Sequence, residues 1–110
     1  MKFESRTIDQ VTVVVMEGNL DTNTSVDAQE QINELIDGGA MKLVVDFAAV
    51  DFVSSAGLRV LLATAKRLGG SGGSLRICGL NDEVNEVFEI SGFSTILDCF
   101  PTRDAALLGF

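Results

Sequence analysis

The sequence contains no histidine, no tryptophan and no tyrosine, and it has a single proline. Histidine is the commonest general base and a member of the Ser–His and Cys–His nucleophile pairs, so these catalytic arrangements are excluded. The two cysteines, Cys78 and Cys99, have no CxxC spacing, and without histidine they cannot form an ordinary structural zinc site. Both lie among apolar residues and are interpreted as free buried thiols. We therefore expect no metal, no cofactor and no enzymatic activity.

Positive charge is also scarce, with 8 Lys and Arg residues against 16 Asp and Glu residues and a formal net charge of −8. The basic residues are scattered and form no stripe. An acidic surface repels the phosphate backbone of nucleic acids and anionic lipids. The composition therefore predicts no nucleic-acid and no membrane partner, and it favours a protein partner with a basic patch.

Long hydrophobic runs are missing as well. No segment approaches the roughly 18 consecutive apolar residues of a membrane span, and the first residues lack the apolar stretch of a signal peptide. We therefore expect the protein in the cytoplasm. An apolar content of 46% over 110 residues indicates one folded domain covering residues 1–110. Nothing in the sequence requires more than a monomer.

Strand and helix patterns alternate along the chain. We predict strands at 2–8, 11–17, 42–47, 75–79 and about 95–99, and helices at about 24–37, 57–68, 82–91 and after Pro101. Thr24 and Asp27 fit a capping box, and Asn81 fits the cap of the third helix. This order predicts an α/β fold with a single mixed, mostly parallel β-sheet, an N-terminal β-hairpin and about four helices.

Polar residues follow several of these strands. The carboxyl ends of parallel strands share one edge of a sheet. We therefore expect residues 21–25, residues 51–55 and the turn after Cys78 to meet in space. Ser54 and Ser55 stand where a buried strand leads into a helix, at a terminus with unpaired N–H donors. A serine at this position can cap the helix, act as a nucleophile or be phosphorylated.

The enzyme interpretations have little support. A nucleophilic Ser55 would need a base, but the nearest lysine, Lys66, lies three turns along the helix, and no GxSxG or SxxK motif is present. The glycine-serine run at 69–74 lacks the order of a phosphate-binding loop and is interpreted as a flexible connection. Asp46 is interpreted as a strand end whose carboxylate binds loop N–H groups. Asp51 belongs to no metal-binding or acid–base motif, and Glu83, Glu86 and Glu89 are interpreted as a solvated helix face.

Two motifs resemble a known family. Residues 18–21 (GNLD) and, more specifically, residues 46–58 (DFAAVDFVSSAGL) resemble the STAS family, in particular its anti-sigma factor antagonists of the SpoIIAA type. The resemblance covers essentially the whole chain and implies the STAS fold. Relatives of this type bind an anti-sigma factor that is itself a serine kinase and thereby free the sigma factor. Phosphorylation of a serine ends the complex, and a metal-dependent serine phosphatase restores it.

Carried onto this chain, the resemblance implies that Ser55 is the phosphate acceptor, because it stands two residues before Gly57. Many relatives have aspartate where this chain has Ser54, which makes Ser54 an alternative acceptor. The implied partner-binding residues are Asp21, Thr22, Asn23, Thr24, Ser54, Ser55, Ala56, Gly57 and Arg59. Two other functions stay open: a constitutive STAS scaffold or lipid-transport accessory domain in which the serines only cap, and an enzyme or nucleotide-binding protein.

Overall fold

Five strands form one sheet in the computed structural model, which describes residues 1–110. The strands are β1 (Lys2–Ile8), β2 (Val11–Leu20), β3 (Lys42–Val53), β4 (Ser74–Cys78) and β5 (Asp98–Phe100), in that spatial order. The helices are α1 (Ser25–Asp37), α2 (Ser55–Gly70), α3 (Asp82–Ile90) and α4 (Arg103–Leu107), with a 3₁₀ turn at Phe93–Thr95. β1 pairs with β2 antiparallel, and every other pair is parallel. The predicted α/β fold with an N-terminal hairpin is confirmed.

The two faces of the sheet are covered unequally. Helices α1, α2 and α3 pack on one face, where a core of 19 buried residues includes Phe47, Leu61 and Phe88. Helix α4 covers a small cluster of 5 buried residues around Val13 and Ala106 on the other face. Successive strand residues point to opposite faces, so the interior strands β2 and β3 supply apolar side chains to both. No helix is both long and apolar enough to cross a membrane.

Strands β2 and β3 are longer than the sequence patterns predicted. β2 continues to Leu20 instead of ending at 17, and β3 continues to Val53 instead of ending at 47. Their last residues pair with each other, with Leu20 opposite Val53, after register shifts along the ladder. Each extension therefore depends on hydrogen bonds to a partner strand that is distant in the chain, which local patterns do not reveal.

Asp46 does not end its strand as predicted. It lies buried within β3, where Oδ2 accepts a hydrogen bond from Arg103 Nε at 3.0 Å and forms an ion pair with Arg103 Nη2 at 2.8 Å. Oδ1 accepts from the Ala48 backbone N–H at 2.9 Å, so the predicted bonding to backbone N–H groups holds for one amide. The carboxylate thus ties α4 to the sheet. Burial, and next the nearby Asp46 charge, raise the pKa of the Cys78 thiol to about 12.

Three local predictions need correction. The Thr24 side chain does not cap α1, because its hydroxyl bonds within the preceding loop. The last strand lies at Asp98–Phe100, since residues 93–95 form a 3₁₀ turn. Residues 69–74 do not form the flexible connection that the sequence predicted. They contain the end of α2, a turn and the start of β4, and a Cβ at Gly73 would lie 2.2 Å from Met41 O.

The structure also contains the predicted helix cap at Asn81 and the two predicted free cysteines. Asn81 caps α3 by accepting from the Val84 N–H at 2.8 Å, as the pattern predicted. Both cysteines are free thiols, although Cys99 is only partly buried. A helix cap is a hydrogen bond between a side chain and a backbone amide a few residues later. Because both groups lie in one short segment, such a bond can be predicted from the sequence.

Candidate functional site

The candidate site lies where β2 and β3 end side by side. The Ser54 N–H donates to Leu20 O at 2.9 Å, which holds the start of α2 against the connection between β2 and α1. Asn81, after β4, donates from Nδ2 to Val50 O at 3.1 Å. The three connections that were expected at one edge of the sheet therefore do meet there.

The two serines have different environments. Ser54 has an extended backbone (φ −90°, ψ 174°), is partly buried and caps α2 by accepting from the Gly57 N–H at 3.4 Å. Its carbonyl accepts from the Leu58 N–H at 3.0 Å. Ser55 is the first helical residue and is exposed, and its hydroxyl has no hydrogen-bond partner within the chain. One serine thus holds the helix start, and the other presents a free hydroxyl.

Gly57 allows this arrangement by close contact. A Cβ at Gly57 would lie 2.6 Å from Leu20 O, 2.8 Å from Leu20 Cγ and 3.0 Å from Val53 Cγ1. No real side chain fits at such distances. The first turn of α2 therefore rests directly on the ends of β2 and β3, and a larger residue would displace the helix start together with Ser55.

The start of α2 is electrostatically suited to a negative charge. The amides of Ser55 and Ala56 precede the first intrahelical hydrogen bond, and the first turn contains no acidic residue. A helix N-terminus carries partial positive charge, so an anionic group on Ser55 would be favoured there. A phosphate on this hydroxyl is therefore compatible with the folded domain.

The loop between β2 and α1 is shaped by its own side chains. Asp21 Oδ1 accepts from the N–H groups of Asn23 at 2.9 Å and Thr24 at 3.2 Å. Thr24 Oγ1 accepts from the Asp21 N–H at 3.0 Å and donates to Asn19 O at 2.7 Å. Asp21 and Thr24 thus hold the loop in shape, while Thr22 and Asn23 are exposed.

A groove of about 380 Å³ runs between α1 and α2 from this loop. We call it the α1–α2 groove; its lining residues are Ser25, Val26, Gln29, Glu30, Ala56, Arg59, Val60 and Ala63. Val26 is 66% exposed and gives the groove an aliphatic side chain open to a partner. Sequence analysis missed Val26, although its position off the apolar stripe of α1 was a usable signal. Arg59 lines the groove and takes part in neither of the two ion pairs of the structure.

Two residues before Ser54 in the chain, Phe52 is 49% exposed. Together with Asp51, Val53 and α3 residues it borders a smaller cleft of about 120 Å³. An exposed phenylalanine two residues before the cap was also missed from the sequence, because β3 was predicted to end before it. Ala56, next to Ser55, lines the groove that contains Val26, and Val53, next to Ser54, borders the cleft that contains Phe52. The start of α2 therefore adjoins two surface depressions, each with an exposed apolar side chain.

Comparison with known proteins identifies the family. The family model of the STAS domain matches residues 2–106. BtrV of Bordetella bronchiseptica, described as an anti-sigma factor antagonist, is 36% identical over 110 residues, which are 100% of this chain and 95% of BtrV. The chain belongs to the STAS family.

Solved structures agree with this assignment. An anti-sigma factor antagonist from Mycobacterium paratuberculosis is 26% identical, with a TM-score of 0.89 over 96% of this chain and 90% of its own. Phosphorylated SpoIIAA from Bacillus, 20% identical, has a TM-score of 0.74 over 96% of each chain and shows the same fold.

Proposed function

We propose that the protein is an anti-sigma factor antagonist whose unphosphorylated form binds an anti-sigma factor through the surface around Ser55. BtrV and the Mycobacterium paratuberculosis protein, which match nearly the whole length of this chain, support this function by their names. The observation that carries the proposal is the exposed, unbonded Ser55 hydroxyl at the start of α2, bordered by the α1–α2 groove. Phosphorylation of Ser55 would switch the binding off.

Ser55 is the better acceptor of the two serines. A kinase needs a hydroxyl that can extend into its active site, and Ser55 is exposed with no bond to break. Ser54 is partly buried and its oxygen accepts from Gly57, so its phosphorylation would remove the helix cap. We therefore assign the phosphate to Ser55 and keep Ser54 as the alternative that the experiment must distinguish.

The partner is proposed to be an anti-sigma factor that is also a serine kinase, with a metal-dependent serine phosphatase to reverse the modification. A phosphate adds a charge of about −1.5 to −2 at the centre of the docking surface. Desolvation and repulsion of a few kcal/mol there change affinity by roughly two to three decades. SpoIIAA has been solved in unphosphorylated and phosphorylated forms, with TM-scores of 0.73 and 0.74 to this chain, so this fold can hold a phosphate.

In this proposal the chain is a substrate and a binding module rather than an enzyme. No base lies near Ser55 on α2, where the first lysine is Lys66. The protein would act as a monomer in the cytoplasm, where sigma factors act. The partner-binding residues are proposed to be Thr22, Asn23, Ala56 and Arg59 around Ser55, with Asp21, Thr24, Ser54 and Gly57 holding the surface in shape.

The test uses the anti-sigma factor kinase of the same organism and ATP. Intact-mass measurement should show one added phosphate on the wild type and on Ser54→Ala, and none on Ser55→Ala. Calorimetry should show that Ser55→Asp binds the anti-sigma factor at least tenfold more weakly than the wild type. Equal binding of phosphorylated and unphosphorylated protein would contradict the switch and favour the constitutive scaffold or lipid-transport accessory role.

A further inference from the structure

The position of Arg59 relative to Ser55 carries an inference about how the phosphate is held. Residues four apart on a helix lie on the same face, one turn above the other. Ser55 is the first residue of α2 and Arg59 is the fifth, and both are exposed. Arg59 also lines the α1–α2 groove next to Ala56. Its long side chain can therefore reach a group attached to the Ser55 hydroxyl.

Arg59 has no anionic partner in the unphosphorylated protein. The structure has two ion pairs, Arg67 with Asp37 and Arg103 with Asp46, and Arg59 belongs to neither. Most other cations of the chain are likewise outside ion pairs, so Arg59 is distinguished by its place one helical turn from Ser55. Glu30 lines the same groove but does not come within ion-pair distance of the guanidinium.

The other charged groups around Ser55 are acidic. On the elements next to the start of α2 they are Asp21 in the loop before α1, Glu30 in the α1–α2 groove, and Asp51 and Glu83 at the cleft beside Val53. On α2 itself the next cation after Arg59 is Lys66, about two turns further along the helix. A phosphate on Ser55 would thus meet one nearby cation among several carboxylates, and a guanidinium offers two N–H groups in the geometry that phosphate oxygens accept.

We propose that Arg59 binds the phosphate of phosphorylated Ser55 within the same chain. This inference rests on the proposed phosphorylation of Ser55. Arg59 is then a positioning residue that fixes the phosphate over the first turn of α2. Its guanidinium is free to meet an acidic group of the partner in the unmodified protein and is occupied in the modified one. Phosphorylation would therefore change the docking surface twice, by adding an anion and by withdrawing a cation.

The test installs phosphoserine at position 55 during translation, so no kinase or partner is needed. The second ionisation of the phosphate is followed by ³¹P NMR in the wild type, Arg59→Gln, Arg59→Lys and Lys66→Gln. Lys66→Gln is the matched control, because it removes the same charge from an exposed site of the same helix. Loss of a nearby cation raises the phosphate pKa, so Arg59→Gln should raise it by about 0.3 unit more than Lys66→Gln does. Arg59→Lys should restore most of the difference.

A second signal reports the contact directly. The Arg59 Nε–H resonance should move on phosphorylation, while that of the distant Arg76 should not. Equal phosphate pKa values in Arg59→Gln and Lys66→Gln, with no movement of the Arg59 resonance, would overturn the inference. Failure of the proposed function looks different, because it appears as unchanged binding of the anti-sigma factor by the phosphorylated wild type.

Discussion

Gly57 packs so closely against Leu20 that a Cβ at position 57 would lie 2.6 Å from the Leu20 carbonyl oxygen. The same carbonyl accepts the Ser54 N–H at 2.9 Å. The end of β2 thus supports both the capping residue and the first turn of α2, and through them the position of Ser55. The position of the exposed Ser55 therefore depends on the close contact between Gly57 and Leu20.

Gly57→Ala should therefore destabilise the domain. Its added carbon overlaps backbone and side-chain atoms of Leu20, and overpacking of this kind costs about 1–3 kcal/mol of unfolding free energy. Gly69→Ala is the control, since it lies in α2 with no atom within 4 Å of its Cβ and should gain about 0.5–1 kcal/mol. Urea unfolding measures both. A gain in both variants would show that the helix start can move without cost.

Ser54 and Ser55 should differ in their contribution to stability. Ser54→Ala removes the cap of α2 and should cost about 0.5–1 kcal/mol of unfolding free energy, the lower part of the usual range because the bond to Gly57 is long. Ser55→Ala removes a hydroxyl with no partner and should change stability by less than about 0.5 kcal/mol. Thermal unfolding compares the two, and a larger loss for Ser55→Ala would refute this assignment of roles.

The α1–α2 groove should contribute to partner binding. Val26→Asp replaces an aliphatic side chain in the groove with a charged one, so it should weaken binding of the anti-sigma factor at least tenfold. Because position 26 is 66% exposed, the substitution should have little effect on folding. Ile90→Asp, at a 79% exposed position at the end of α3, is the control and should bind normally. Isothermal titration calorimetry measures both affinities. Similar losses at the two positions would mean that the groove has no special role.

Alkaline pH should destabilise the protein through Cys78. Burial, with Asp46 as the second cause, raises the pKa of this thiol from 9.0 to about 12, so the folded state holds the proton more tightly than the unfolded state. The unfolding free energy should therefore fall as pH rises from about 9 towards 12, by up to about 1.4 kcal/mol per pH unit.

Cys78→Ala provides the comparison for this titration. It should show a flatter dependence on pH between 8 and 10, a range that contains no tyrosine ionisation because the chain has no tyrosine. Cys99, whose pKa is also raised by burial, remains in both proteins and contributes equally. If the unfolding free energies of the two proteins, measured with urea, change with pH in parallel, the Cys78 thiol lies in a more polar environment than the structure shows.

Several features were predictable because they depend on neighbours in the chain. The helix of residues 57–68 was predicted from apolar residues at helical spacing, and in the structure it extends to Ser55–Gly70. The cap by Asn81 follows from a side chain that bonds an amide three residues later. The alternation of strands and helices then requires a mostly parallel sheet, and with it a shared edge for the connecting loops.

Other features were decided only by tertiary structure. The sequence alone placed two serines at a helix start, but the hydrogen bond from the Ser54 amide to Leu20 and the close packing of Gly57 decided which hydroxyl caps and which is free. The burial of Asp46 against Arg103 and the groove beside Val26 likewise join segments far apart in the chain. Local patterns encode periodicity and capping, whereas the pairing of distant strands and helices depends on the whole chain packing around one core.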